Sequence, residues 1–293
     1  GAGTVSSAPA GIACGADCTE TYTVGTGVTL SAAADPGTTF AGWSGAGCAG
    51  TGTCMVTMNM AQTVTATFTL NTYPVTVSKA GTGSGTITST PAGITCGADC
   101  AEDVGHGTML TLTATPAGGS TFTGWSGSGC TGTSTCVLTV TAAVATTATF
   151  AADQVTLTVA KSGAGAGTVS SSPAGISCGA DCTETVNYGT MITLSATPAG
   201  GSIFNGWTGG GCTGTGSCVV TLTAATTVTA DFALAPFALS VTKAGTGAGT
   251  VTSSPAGINC GADCTEPYTN GTSVTLTAAA GSGSTFTGWS GGG

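Results

Sequence analysis

Apolar side chains alternate with threonine in short runs along this chain. The clearest set is Val75-Thr-Val77, Gly85-Thr-Ile87-Thr-Ser89, Met109-Leu-Thr-Leu112-Thr-Ala114, Thr121-Phe122-Thr-Gly124-Trp125, Val137-Leu-Thr-Val140 and Ala148-Thr-Phe150. A period of two puts one set of side chains on a buried face and lines the opposite face with β-branched hydroxyls, so each run is predicted to be a β-strand. Gly, Pro and Ser clusters separate the runs, and Pro91 and Pro116 stand at predicted strand ends, where a missing N–H does no harm. No segment carries the 3.6-residue period of an amphipathic helix. Phe122 and Trp125 are three residues apart and would face opposite sides of a regular strand; Gly124 is the expected site of a bulge that turns both rings inward.

The pattern repeats. Cys-Gly-Ala-Asp-Cys occurs at Cys14–Cys18, Cys96–Cys100, Cys178–Cys182 and Cys260–Cys264, a constant interval of 82 residues. Trp43, Trp125, Trp207 and Trp289 share that register, as do Phe40, Phe122, Phe204 and Phe286, and these aromatic residues are the expected core. The units are 1–68, 73–150, 155–232 and 237–293. Short connectors, Leu70-Asn71-Thr72, Ala151 to Gln154 and Ala233 to Pro236, predict a fairly stiff string. The first unit lacks the opening strand of the others and the fourth lacks the closing ones, with Gly291-Gly-Gly293 standing where the other units place a loop and Cys. The expectation is a window on a longer repetitive polypeptide, the alternative being a subunit completed by strand donation from its neighbours. The fold class expected is therefore all-β, a tandem array of small modules, β-grasp-like or small sandwiches, with period 82.

Composition narrows the function classes. Of 293 residues only 5% are charged, against about 25% in a typical soluble domain, and the net charge is −9. Three lysines, no arginine and one histidine leave little with which to bind nucleic acid, clamp a phosphate or build imidazole catalysis, so no enzyme and no cofactor are expected. The charge-free stretch between Asp103 and Asp153 is interrupted throughout by Gly, Thr and Ser, and no membrane insertion of this segment is expected. The opening GAGTVSSAPAG shows neither the basic nor the apolar region of a signal peptide.

Fourteen cysteines fall four to each of the first three units and two to the fourth, the arithmetic of disulfides in an exported protein. The spacings C-x3-C and C-x5-C, at Cys48–Cys54, Cys130–Cys136 and Cys212–Cys218, are short enough for a turn to bring each pair within bonding range. Local pairing is the expectation. Cross-pairing between the two loops stays open, and a zinc site is the rival use of the same thiols.

Other recurring side chains admit a chemical and a structural reading. Asp17 and Glu20, Asp99 and Glu102, Asp181 and Glu184, and Asp263 and Glu266 recur as D-C-x-E, weak candidates for calcium and otherwise an Asx-turn beside a solvated glutamate. Lys79, Lys161 and Lys243 recur before a Gly-rich turn, as isopeptide points or, more simply, as solvating or edge-protecting charges. His106 stands where other units have Val24, Tyr188 and Asn270; it is expected in a solvent-exposed loop, and this variable position is the candidate contact for a glycan or host protein. The tryptophans are expected in the core rather than on a sugar-stacking platform.

The strings G-T-V-S-S-S-P-A-G-I (167–176), G-T-x-x-T-L-x-A-T-P-A-G-G-S (189–202), F-x-G-W-[ST]-G (204–209) and V-T-A-x-F (228–232) resemble the divergent internalin-type B-repeat family of bacterial surface proteins, across the whole chain. The resemblance implies a compact β-grasp-like or sandwich module strung in tandem on exported proteins, with stalk or adhesive roles and no catalysis. The Cys loops belong to only part of that family, and no ligand site carries over. The expected function is a structural stalk or filament at the bacterial cell surface or in the extracellular matrix, self-associating; the alternative is an adhesin segment.

Overall fold

A computed structural model describes residues 1–291; Gly292 and Gly293 of the terminal glycine run lie outside the described residues. Among the described residues every regular element is a strand. Repeat 1 contains β1 (Gly3–Ala8), β2 (Ala13–Cys14), β3 (Gly27–Ala34), β4 (Thr38–Ser44), β5 (Cys54–Thr57) and β6 (Thr65–Leu70). Repeat 2 contains β7 (Thr72–Ala80), β8 (Gly85–Thr90), β9 (Thr95–Cys96), β10 (Ala101–Gly105), β11 (Met109–Pro116), β12 (Ser120–Ser126), β13 (Cys136–Thr139) and β14 (Val144–Ala152). Repeat 3 follows the same plan with β15 (Gln154–Ser162), β16 (Gly167–Ser172), β17 (Ser177–Cys178), β18 (Thr183–Asn187), β19 (Met191–Pro198), β20 (Ser202–Thr208), β21 (Cys218–Thr221) and β22 (Thr226–Leu234). Repeat 4 has β23 (Pro236–Ser240), β24 (Gly249–Ser254), β25 (Asn259–Cys260), β26 (Thr265–Thr269) and β27 (Thr275–Ala280).

Each complete repeat is a sandwich of two four-stranded sheets. In repeat 2 the orders are β10-β7-β14-β12 and β13-β11-β8-β9, and in repeat 3 β18-β15-β22-β20 and β17-β16-β19-β21. The opening strand runs parallel to the closing one, Val144 facing Val75 and Thr149 facing Ala80, so the whole repeat serves as the crossover that a parallel pair requires. All other pairings are antiparallel. Inward residues of both sheets meet in one core per repeat, Val75, Val77, Ile87, Leu110, Leu112 and Phe150 in repeat 2 and their counterparts in repeat 3. A β-grasp would need a helix across the sheet, and none occurs among the described residues, which decides between the two expected module types.

The chain divides into two compact units, Gly1–Asp153 and Gln154–Gly293, each holding two repeats. The connectors are shorter than the sequence suggests: β6 ends at Leu70 and β7 begins at Thr72, leaving Asn71 alone, and Asp153 and Ala235 are equally solitary. Each connector N–H donates to a glycine carbonyl of the preceding repeat, Asn71 to Gly37 at 2.9 Å, Asp153 to Gly119 at 3.0 Å and Ala235 to Gly201 at 2.9 Å.

Three sequence expectations change. Strands β9 and β10 had no alternating apolar signal, because β9 is two residues long and β10 is an acidic edge strand with a single buried side chain, Val104. The outer face is not uniformly hydroxyl-lined: Met109 and Val137, and again Met191 and Val219, are exposed on it. Phe286 and Trp289 of repeat 4 are not core residues; they are 46% and 52% exposed, since no closing strand pairs with them among the described residues.

Candidate functional site

The recurring aromatic and cysteine residues converge on one corner of each module. Gly124 has φ +144 and the register of β12 against β14 shifts between Phe122 and Gly124, so the bulge turns Trp125 to the same side as Phe122. Their rings sit edge to face at 5.5 Å, and Phe122 also packs on Phe150 at 5.4 Å. Trp43, Trp125 and Trp207 are buried, while Phe40, Phe122 and Phe204 are partly so and pack against the same cores. Each buried indole also reaches into the second cysteine loop. Nε1–H donates to a carbonyl inside that loop, Trp43 to Gly52 at 2.6 Å, Trp125 to Ser134 at 2.9 Å and Trp207 to Gly216 at 2.7 Å.

The cysteines pair locally. Cys14–Cys18, Cys96–Cys100, Cys178–Cys182 and Cys260–Cys264 have Cα separations of 4.3, 4.3, 4.3 and 4.2 Å. Cys48–Cys54, Cys130–Cys136 and Cys212–Cys218 have 5.5, 5.4 and 5.4 Å, and no cysteine among the described residues is free. Sulfur committed to these bonds is not a zinc ligand.

In the acidic motif, the Asp carboxylate accepts a hydrogen bond from the N–H two residues on: Asp17 from Thr19, Asp99 from Ala101, Asp181 from Thr183 and Asp263 from Thr265, at 3.1 to 3.2 Å. This is the Asx-turn geometry. The glutamates Glu20, Glu102, Glu184 and Glu266 lie with their stems over Gly11, Gly93, Gly175 and Gly257, where a side chain would collide with them. No group of three or more metal-ligating side chains occurs among the described residues.

Lys79, Lys161 and Lys243 each fold back so that Nζ donates to a backbone carbonyl at 3.1 Å, of Gly85, Gly167 and Gly249. In repeats 2 and 3 the strand that carries the lysine is an inner one, β7 or β15, so the side chain does not protect a sheet edge. A carbonyl partner offers no carboxyl or amide side chain for isopeptide formation.

His106 is not in an open loop. Its ring lies over Gly37 of repeat 1, where any Cβ would fall inside it, and 5.9 Å from the Tyr73 ring, with Nδ1 buried and unpartnered among the described residues. Its N–H donates to the connector carbonyl of Asn71 at 2.8 Å. Asn270 repeats the arrangement over Gly201, donating to Ala235 at 2.8 Å. The variable position is therefore a joint between repeats at both places. Val24 of repeat 1 is open to solvent, 86% exposed, and Tyr188 is partly exposed. Gly37, Gly119, Gly201 and Gly283 recur in one register with positive φ, and at Gly37 and Gly201 the missing side chain also leaves room for this contact.

One carboxylate departs from its ordinary acidity. Asp231 accepts hydrogen bonds from Ser162 Oγ at 2.7 Å and Asn205 Nδ2 at 2.8 Å, which hold its pKa below the usual carboxylate value. Neither partner has a counterpart in the other repeats, so the feature belongs to repeat 3 alone. Nothing in these groups places a nucleophile beside a base.

Among the solved structures that resemble the chain, two illustrate how distant the likeness is. The Bacillus anthracis TIE protein aligns with 87% of this chain at 8% identity and a TM-score of 0.39. The chain spans about half of that protein, 52% of its length. The major pilin protein (T-13) from Streptococcus pyogenes aligns with 56% of this chain and 97% of its own at 11% identity and a TM-score of 0.28. Neither likeness is close enough to inform fold or role. No curated protein matches the chain. The divergent InlB B-repeat domain matches residues 3–72, 73–154, 157–236 and 239–293, and the chain belongs to that family as four tandem repeats.

Proposed function

We propose that the chain is a non-catalytic structural protein of the bacterial cell surface or extracellular matrix, in which tandem β-sandwiches form a stalk or filament. The observation that carries this reading is the joint inside each unit. A single connector residue, Asn71 or Ala235, is hydrogen-bonded through its N–H to the repeat before it and through its C=O to the repeat after it. A one-residue link fixed on both sides resists bending, which suits a spacer better than a flexible tether. Disulfides in every repeat suit an oxidising exterior.

Self-association is the proposed partner contact. Met109 and Val137, with Met191 and Val219, form the same exposed apolar pair on the outer sheet face of successive repeats, 82 residues apart, and a repeated patch on a weakly charged surface favours lateral contact. Electron microscopy of the purified chain tests both statements: elongated particles that bundle with rising concentration support them, and compact monomers that stay monomeric overturn them. The adhesin reading gains if serine at these four positions abolishes binding to a glycan or host surface while leaving particle shape and association unchanged.

A further inference from the structure

The two sheets of repeat 2 end in the strands β10 and β12 and in the strands β13 and β9. An uncovered edge pairs readily with another chain, and folded proteins blunt it with charge, a bulge, extreme shortness or a covering loop. Three of these edges are blunted. β10 carries Glu102 and Asp103. β12 is bulged at Gly124, and the second cysteine loop covers it, its Gly132 carbonyl accepting from the Trp125 N–H at 2.8 Å. β9 is two residues long, and the first cysteine loop covers it, Thr95 and Asp99 exchanging backbone hydrogen bonds at 3.1 and 3.0 Å. Repeat 3 uses the same devices: Glu184 on β18, a bulge at Gly206 with Trp207 bonded to Gly214, and Ser177 bonded to Asp181.

β13 and β21 have none of them. Cys136-Val-Leu-Thr139 and Cys218-Val-Val-Thr221 contain no charge and no proline, and their registers against β11 and β19 run without a shift. Just beyond each strand the N–H of Val140 donates to Thr108, and that of Leu222 to Thr190, both at 2.9 Å. Backbone groups alternate in direction along an antiparallel ladder, so those of Leu138 and Val220 also turn inward, while the N–H and C=O of Val137 and Thr139, and of Val219 and Thr221, turn outward. Among the described residues no turn, loop or side-chain hydrogen bond reaches these outward groups. Repeat 1 differs, since the Asn59 N–H takes the Thr57 carbonyl at 3.0 Å.

Charge and symmetry identify the occupant. In a chain of net charge −9, every charged residue on a strand of repeats 2 and 3 lies in the other sheet, Lys79, Glu102 and Asp103 in one repeat and Lys161, Glu184 and Asp231 in the next. The sheets that end in β13 and β21 carry none, so two copies repel each other least when these sheets approach. An antiparallel pair centred on Leu138 sets Val137 opposite Thr139 in both directions, and the outward groups of one copy then match those of the other.

We propose that β13 and β21 are self-pairing edges, each joining the same strand of a second copy antiparallel, Val137 opposite Thr139 and Val219 opposite Thr221, to extend the uncharged sheet from one chain into the next. Val137 and Val219, 58% and 54% exposed, gain a cross-strand neighbour in the process. This pairing rests on the self-association proposed above and names the groups that make it.

The test uses the full 293-residue chain, with association followed by analytical ultracentrifugation and its position by amide hydrogen exchange. The expected result is protection of the Val137, Thr139, Val219 and Thr221 amides that grows with concentration. Thr139→Lys with Thr221→Lys places charge on both edges and should weaken association at least about tenfold. Thr88→Lys with Ser170→Lys adds the same charge to the same faces on the inner strands β8 and β16, and should associate like the wild type. All four positions are exposed, and the exchange measurement on the wild type needs no variant. Equal weakening by the two pairs would mean that copies stack face to face, and association without protection of the four amides would place the contact elsewhere; either result overturns edge pairing and leaves self-association standing. A chain that stays monomeric up to about 1 mM overturns both.

Discussion

The indole Nε1–H of Trp207 donates to the carbonyl of Gly216 across 2.7 Å, tying the aromatic core of repeat 3 to the loop closed by Cys212 and Cys218. One side chain thus fills the core and satisfies a carbonyl in a loop that has little apolar surface of its own. Its removal leaves both a cavity and an unpaired acceptor.

Trp207→Ala is expected to cost about 3 to 5 kcal/mol of stability, whereas Trp289→Ala, at a site 52% exposed, should cost less than about 1 kcal/mol. Chemical denaturation of the two variants measures the difference. Equal effects would mean that the fourth tryptophan is buried in solution or that the third is not.

Mass spectrometry without reduction should find seven disulfides, with peptides linked Cys96 to Cys100 and Cys130 to Cys136 in repeat 2. Closing loops this short restricts the unfolded chain by about 2 kcal/mol each, so reduction should lower the thermal midpoint steeply. Links between the two loops, or stoichiometric zinc on free thiols, would refute local pairing.

Gly206→Ala is expected to destabilise repeat 3 by about 1 to 3 kcal/mol. Gly206 has φ +142, and a Cβ there would lie 2.9 Å from the Gly214 carbonyl oxygen. Gly216→Ala is the control, since a Cβ at that position meets nothing within 4 Å. Denaturant midpoints of the pair compare backbone strain with mere loss of glycine.

The Asp231 carboxyl, held below its ordinary pKa first by Ser162 and then by Asn205, makes a pH-dependent contribution. A depressed folded-state pKa stabilises above the unfolded value, and that stabilisation fades as pH falls through the folded value. The wild type should therefore exceed Asp231→Ala slightly in thermal midpoint at neutral pH, and the gap should close below about pH 4. The effect is small because the group is exposed. A gap that widens on acidification would reverse the assigned sign.

The period-two alternation of Val, Leu and Phe with Thr was enough to place the main strands, because a strand with one wet and one dry face leaves that signature in any sequence. Gly124 between Phe122 and Trp125 marked the bulge for a similar reason: the required φ is open to glycine and to little else. The spacing of each cysteine pair indicated a turn-sized loop. These are properties of a few consecutive residues, and consecutive residues can disclose them. Hidden from such a reading were β10, whose acidic residues give no alternation, and the lodging of His106 over Gly37, which joins positions far apart in the chain.

The segment Ser-Thr-Phe-Thr-Gly-Trp-Ser occurs twice, at Ser120–Ser126 and at Ser284–Ser290. In both places the glycine takes a positive φ, +144 at Gly124 and +139 at Gly288, and the rings meet edge to face at 5.5 and 5.1 Å. That much the seven residues determine by themselves. Yet the first copy is a strand with its tryptophan 5% exposed, while the second forms no strand and leaves Trp289 at 52%. The same contrast holds at the opposite edge of this sheet, where Thr-Glu-Thr-Val-Asn at Thr183–Asn187 is the strand β18 and the closely similar Thr-Glu-Thr-Tyr-Thr at 19–23 forms no strand. In each case the difference is the neighbour: β14 hydrogen-bonds β12 and β15 hydrogen-bonds β18, and backbone N–H and C=O groups form a ladder only when a second strand supplies the other half. Sequence fixes the local conformation and the face that is to be buried; a partner strand distant along the chain decides whether that face becomes core.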